Sequence, residues 1–290
     1  MIDFDRLKSH RFDPVFQTYT SRDTLLYALG LNIGADPMDE AALPYVAADP
    51  PLVVPTMPMT LARLGPWMKD PAFGIDYGRV VVGEVELTLF APIPAAATVR
   101  AEHRILRVSD KGQGRGALVT IRRELFDAGS GTKLAAYEQL SFCRGDGGFA
   151  VDGRHDPPGA PVQWDVADRP PDREHQVVTA AHQALVYRLS GDMNPLHSDP
   201  QTAKRAGFDR PILHGLATVG MVGHVLAQQA LADGEGEFRA IRGRLAAPVV
   251  PGETLNLQMW RTDEGVLFRL VKGDGREAIS RGISKFHYMG

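Results

Sequence analysis

The stretch from about Gly215 to Leu231 has almost no polar face. Leu216, Val219, Gly220, Val222, Gly223, Leu226, Ala227, Ala230 and Leu231 fall all round it, and His224, Gln228 and Gln229 interrupt them. A surface helix buries one stripe, whereas a helix apolar on every side must be enclosed. The flanking sequence supplies the enclosure. Four β-type segments follow it, at Phe238 to Leu245, Thr254 to Trp260, Val266 to Lys272 and Glu277 to His287. A strand at Gln176 to Thr179 and a helix at Gln183 to Leu189 precede it. Antiparallel strands closed on one buried helix make an α+β unit.

The first half is built alike. Ser21 is placed to cap a short helix that Gly30 stops, and Met59 to Met68 is a second possible helix. Strands are expected at Glu84 to Phe90, Thr98 to Val108, Ala117 to Phe126 and Lys133 to Phe142. The run Gly112, Gly114, Gly116 lies between two of these strands, so it reads as a hairpin loop; a phosphate loop needs a helix after it. Pro44, Pro50, Pro51, Pro55, Pro58 and Pro66 forbid a long central helix in this half. Between the halves, Asp152 to Asp172 is rich in Pro, Gly and Asp without periodicity, as a linker is. The expected division is residues 1–150, a linker at 151–172, and residues 173–290. With 290 residues, 44% of them hydrophobic, two modest domains with a core each are expected.

A formal charge of −3 and the lack of any Lys/Arg cluster with interleaved aromatics argue against nucleic acid as a partner. The start, Met1-Ile2-Asp3-Phe4-Asp5-Arg6, is acidic where a secretory signal is basic, and no apolar run is long enough to span a bilayer. A cytoplasmic protein with no membrane partner is the expectation. Cys143 is the only cysteine, which excludes an internal disulfide, and alone at a strand end it reads as a small core hydrophobe.

The chemistry concentrates in Asp192-Met193-Asn194-Pro195-Leu196-His197 and Phe208-Asp209-Arg210-Pro211-Ile212-Leu213-His214-Gly215. A carboxylate and an imidazole end one short turn, just ahead of a glycine that opens the apolar helix. That supplies an acid/base pair beside an anion-binding backbone, the parts needed to add water across an activated double bond. Taken alone, an Asp-x-Asn-Pro turn is a common helix stop. His214 fits a capping or packing role, and His182 and His224 have no partner pattern. A metal set of His197, Asp199 and His214 matches no standard spacing, so no metal is expected. A Ser-His-Asp hydrolase is thinly supported, because Ser190 and Ser198 lack the Gly-x-Ser-x-Gly elbow.

Tyr187-Arg188-Leu189-Ser190-Gly191-Asp192, Asn194-Pro195-Leu196-His197, Ala206-Gly207-Phe208 and Arg210 to Leu216 resemble the signature of the MaoC-like (R)-specific, or type-2, enoyl-CoA hydratases. Leu26 to Gly30, Val82-Gly83-Glu84 and Pro248 to Thr254 extend the likeness more loosely over nearly the whole chain. The resemblance implies a tandem double hot dog, complete in the C-terminal half and interrupted in the N-terminal half. It also implies a hydro-lyase of β-oxidation, acting on fatty acyl or bulkier, steroid-derived chains, that hydrates trans-2-enoyl-CoA to (3R)-hydroxyacyl-CoA. Asp192 and His197 would hold the water, Asn194 would orient the site, and the Gly215 N–H would meet the thioester oxygen, with the missing side chain allowing close approach. Phe208 and His214 would lie along the substrate. No cofactor is implied beyond the coenzyme A of the substrate, and the assembly would be a homodimer. The alternatives are a hot-dog thioesterase and a non-catalytic acyl-CoA binder. The N-terminal half, without the Asp/His motif or a full helix, is expected to be catalytically silent and to take the acyl chain, with Met57, Met59, Leu61, Leu64 and Trp67 as candidate lining.

Overall fold

A computed structural model describes residues 1–160, 164, 169–234 and 236–287. Helix α1 (Phe4–Ser9), strand β1 (Val15–Tyr19) and helices α2 (Ser21–Gly30) and α3 (Leu43–Val46) come first. Short 3-10 turns lead on to β2 (Val80–Leu89), β3 (Ala97–Asp110), β4 (Ala117–Asp127) and β5 (Lys133–Cys143). The second half comprises β6 (Arg173–Val178), α4 (Gln183–Tyr187), α5 (Pro200–Arg205), α6 (Gly215–Ala232), β7 (Glu237–Leu245), β8 (Thr254–Thr262), β9 (Gly265–Lys272) and β10 (Glu277–His287).

All of these strands join one sheet in the order β1-β3-β4-β5-β2-β7-β10-β9-β8-β6. The halves meet where β2 pairs antiparallel with β7, Val85 opposite Gly243 and Leu87 opposite Ile241. Alternation along β2 decides the faces. Val85 and Leu87 are buried, while Glu84 and Glu86 point outward, where Arg242 meets them at 3.3 and 3.8 Å. The concave face covers α6, as its composition requires: Leu216, Val219, Val222, Leu226 and Ala227 are all buried.

Beside a smaller N-terminal cluster around Leu7, Phe73 and Val119, one cluster runs from Tyr19 to Ile279 and takes in both halves. The reason lies on α6. A Cβ at Gly220 would stand 2.6 Å from Leu31 Cδ2, and one at Gly223 2.4 Å from Thr56 Cγ2. These two glycines let α2 and the segment after α3 lie directly on a helix that one half-sheet cannot cover by itself. The fold is the expected tandem hot dog, sharing a single helix.

Several local expectations need correction. Thr20, not Ser21, caps α2: the Asp23 carboxylate accepts from its N–H and its hydroxyl, both at 2.8 Å. No helix spans Met59 to Met68. The chain instead makes 3-10 turns at Met57–Met59 and Trp67–Lys69. Pro58 and Pro66 lack the N–H a helix needs, and Ala62 at φ 45° leaves the right-handed region altogether. Helix α4 ends at Tyr187, and Leu189 falls in a following 3-10 turn, Arg188–Ser190.

The glycine run is a hairpin loop, with Gly112, Gly114 and Gly116 at φ 94°, 72° and 79° and the Lys111 N–H bonded to Gly116 O at 3.1 Å. Cys143 is buried, and that burial pushes its thiol up to about 12, so it is an inert core side chain. Of the linker, residues 161–163 and 165–168 lie outside the described residues, while Trp164 packs edge-on against Trp260 at 5.8 Å. Among the described residues no helix is long and apolar enough to cross a membrane.

Candidate active site

The site is built from the loop between α4 and α6. After the Arg188–Ser190 turn, Gly191 at φ 106° reverses the chain as few other residues could, and Asp192 follows at the rim of the core. The Asn194 side chain accepts from the Leu196 N–H at 3.1 Å, and its backbone carbonyl accepts from the His197 N–H at 3.1 Å. Its amide therefore caps the turn Pro195–His197, which carries His197. The Asn194 N–H in turn reaches Asp192 Oδ1 at 3.3 Å.

Two carbonyls settle the histidine tautomers. His197 Nδ1 lies 2.8 Å from Ile212 O and His214 Nε2 lies 3.1 Å from Asp192 O. A carbonyl only accepts, so both of those nitrogens carry protons. His197 Nε2 and His214 Nδ1 are left bare. The two rings stack with centroids 3.7 Å apart, and Tyr187 closes on His214 from another side at 5.0 Å. Burial lowers the His197 pKa and takes that of His214 down to about 4, so both imidazoles are neutral near pH 7. Burial alone would raise the Asp192 carboxyl, but the Arg63 guanidinium, helped by His214 and His197, outweighs it and leaves the group below its ordinary value. A carboxylate thus faces a neutral imidazole with a bare nitrogen.

Arg63 is the residue sequence reasoning missed. Its Nη2 lies 3.2 Å from Asp192 Oδ2, a contact made across the two halves. The only signal was a lone cation in the otherwise apolar run from Met57 to Leu64.

Gly215 opens α6 with His214 as its N-cap residue, and no side chain caps the helix there. The first backbone N–H groups therefore have no partner within the helix and sit at its positive end. A Cβ at Gly215 would also lie 2.5 Å from Leu245 Cδ1, the flexible end of a side chain on β7.

A cavity of about 230 Å³ adjoins Asp192 on the N-terminal side, lined by Leu26, Met57, Leu61, Arg63 and Leu189 among others. Met57 and Leu61 thus stand where an acyl chain could run. Met59, Leu64 and Trp67 do not line it. Met59 is fully buried core, and Trp67 packs edge-on against Phe12 and Phe73 at 5.3 and 5.5 Å. Phe208 follows α5, its N–H bonded to Ala203 O at 3.0 Å, and it does not line this cavity. A second crevice of about 150 Å³, touching Leu226, Ala230 and Met259, lies toward the far end of α6 and contains none of the site residues.

Asp192, His197 and His214 offer atoms within 4.8 Å of one another, a set a metal ion could be asked to fill. Each histidine gives one nitrogen to a carbonyl and keeps the other free, while the Arg63 guanidinium already balances the carboxylate. Asp199, weighed in the metal set from sequence, instead caps α5 by accepting from the Gln201 and Thr202 N–H groups at 3.0 and 3.1 Å. Among the described residues no hydrogen bond links Ser190 or Ser198 to a histidine, so a serine nucleophile has no base.

Residues 164–281 match the MaoC like domain, and residues 17–145 match the MFE-2 hydratase 2 N-terminal domain. The chain is 35% identical to enoyl-CoA hydratase ChsH3 of Mycobacterium tuberculosis over 274 residues, 93% of each chain. It is 33% identical to the peroxisomal enoyl-CoA hydratase 2 of Arabidopsis thaliana, covering 96% of this chain and 93% of that one. Among solved structures, the MaoC-like dehydratase of Phytophthora capsici superposes with a TM-score of 0.83 at 27% identity, over 99% of both chains.

Proposed function

The chain belongs to the MaoC-like family of type-2 enoyl-CoA hydratases, and from that premise we propose that it reversibly adds water to trans-2-enoyl-CoA to give (3R)-hydroxyacyl-CoA. The observation that carries the reading is the pairing of an ionised Asp192 with a His197 whose bare Nε2 is fixed by the Ile212 carbonyl. One water donates a hydrogen bond to each. As its oxygen bonds to Cβ, the O–H bond facing His197 breaks and the proton passes to Nε2. The C=C electron pair moves into the thioester as an enolate, and the imidazolium then returns the proton to Cα. Asp192 stays an anion throughout, holding the water and stabilising the transient imidazolium. His214 stays neutral and braces the His197 ring. The enolate oxygen is met by the Gly215 N–H at the positive end of α6. The substrate brings its own coenzyme A, and no other cofactor has a step to perform.

In this reading the C-terminal half, residues 173–290, provides the water site, and the N-terminal half takes the acyl chain in the cavity bounded by Met57 and Leu61. Assembly as a homodimer in the cytoplasm belongs to the same proposal.

Purified protein mixed with crotonyl-CoA tests the chemistry. Conjugated-thioester absorbance should fall while no free thiol appears. Release of free CoA would instead identify a thioesterase, and no change at all would leave an acyl-CoA binder. Leu26→Trp tests the acyl route, because Leu26 is half-buried on α2 and faces the cavity. The variant is expected to lower kcat/KM on decenoyl-CoA by ~10-fold or more and that on crotonyl-CoA little, since only the longer chain needs the room. Equal loss on both substrates would contradict this placement of the chain.

A further inference from the structure

We propose that Arg63 is the positioning residue of the site: the N-terminal half holds it rigidly so that its guanidinium aims the Asp192 carboxylate and balances its charge. The inference rests on the hydration reading. It gives that half, otherwise silent, a direct hold on the chemistry.

The geometry makes the case in three steps. Among the described residues Asp192 is the only hydrogen-bond partner of Arg63, at 3.2 Å, and Arg63 Nη1 is buried with none. Burying a guanidinium with an unused donor costs free energy that no other contact offsets, so folding alone does not explain the placement. Next, the turn that carries Arg63 is itself pinned. Arg123, buried on β4, donates to Pro58 O and Met59 O at 2.7 and 2.8 Å, and Gln17 Oε1 on β1 accepts from the Ala62 N–H. Ala62 takes its left-handed φ of 45° directly before Arg63, a conformation alanine adopts only under such constraint.

Finally, the surroundings of Asp192 contain no substitute. His197 comes from its own turn, His214 from the start of α6, Tyr187 from α4, Tyr137 from β5 and Tyr77 from the turn before β2. The imidazoles are neutral at working pH and the phenols are never cations. Among the described residues Arg63 is therefore the one full positive charge in contact with the carboxylate. With Nη2 on Oδ2, the oxygen left for the water is Oδ1, which only a long bond from the Asn194 N–H engages.

Without the guanidinium, burial loses its main opponent and Asp192 takes up a proton at higher pH. In the wild type the acid limb of the rate belongs to His197, the group of the pair that loses its function first as pH falls. In an Arg63 variant both Asp192 and His197 lose the nearby cation that holds them down, so the limb should move upward.

The test measures kcat and KM for crotonyl-CoA from about pH 5 to about pH 9 in the wild type, Arg63→Met and Arg63→Lys. Arg63→Met should lose ~10- to 100-fold in kcat near pH 7 with KM held within ~3-fold, and its acid limb should rise by ~1 pH unit or more. Arg63→Lys should keep the limb at the wild-type position and recover most of the rate, short of full because a point donor cannot fix the carboxylate as a fork does. A limb unmoved in Arg63→Met overturns the proposal. So does a raised KM with kcat retained, which would make Arg63 a substrate contact. Should Arg63→Met not fold, Arg63→Gln and Arg63→Lys decide by the limb alone: the first must move it and the second must not. An inactive wild type would contradict the hydration reading itself, whereas an active wild type with an indifferent Arg63→Met contradicts only this role.

Discussion

Replacing His197 by alanine is expected to lower kcat on crotonyl-CoA by ~10²–10⁴-fold while leaving the protein folded. The Nδ1 proton is held by Ile212 O at 2.8 Å, so the lost atom that matters is Nε2, the one proposed to take the proton from water. Asp192→Asn should cost a similar factor, because the amide cannot offset the imidazolium charge. The double variant should be little worse than the poorer single one, since both residues act on the same water. The pH dependence follows with its sign. His197 sits below its ordinary value, and as pH falls through that lowered value it becomes imidazolium and can no longer accept, so the rate declines on the acid side. Steady-state kinetics on the three variants, with thermal unfolding as the check on folding, measures all of this. Near-wild-type turnover in either single variant would remove the assignment.

The oxyanion contact is expected to show an effect nearly as large, read as the difference between Gly215→Pro and Gly215→Ala. Any side chain here meets Leu245 at 2.5 Å from the new Cβ, so a bulky replacement such as valine would report packing and not chemistry. Alanine and proline add the same Cβ and ask the same flexible Leu245 end to move. Only proline removes the N–H. The backbone accepts it: Gly215 is the first helical residue, where proline is well tolerated, and His214 at φ −61° and ψ 133° has the extended conformation that precedes proline. Turnover of Gly215→Pro should fall ~10²–10³-fold below that of Gly215→Ala, the usual cost of one oxyanion donor. Equal rates in the two would place the thioester oxygen elsewhere.

What could be read from sequence was what is local. The buried helix was legible because its apolar residues fall within one short stretch, and the strand positions followed from alternation between Gly- and Asp-rich turns. The Asp192 and His197 pair was legible because they lie five positions apart, so one turn brings them together. Contacts made at long range left little trace. Arg63 and Asp192 are 129 residues apart and belong to different halves, so nothing in the spacing joins them. The sharing of α6 depends on Gly220 and Gly223 meeting Leu31 and Thr56, a matter of fit between elements and not of composition.

The segment from Met57 to Trp67 shows the same limit at short range. Its prolines correctly forbid a long helix, but which of its side chains turn toward the cavity depends on the left-handed Ala62, and sequence gives no signal for that residue. Helix α1 and strand β1, of six and five residues, are too short for periodicity to mark them.

The most direct measurement is the configuration of the product. The wild-type protein should convert crotonyl-CoA to 3-hydroxybutyryl-CoA, resolved by chiral chromatography after hydrolysis of the thioester. Water delivered by the fixed Asp192 and His197 pair to one face of the enoyl group should give the 3R isomer, whereas a predominantly 3S product would contradict the type-2 hydratase account.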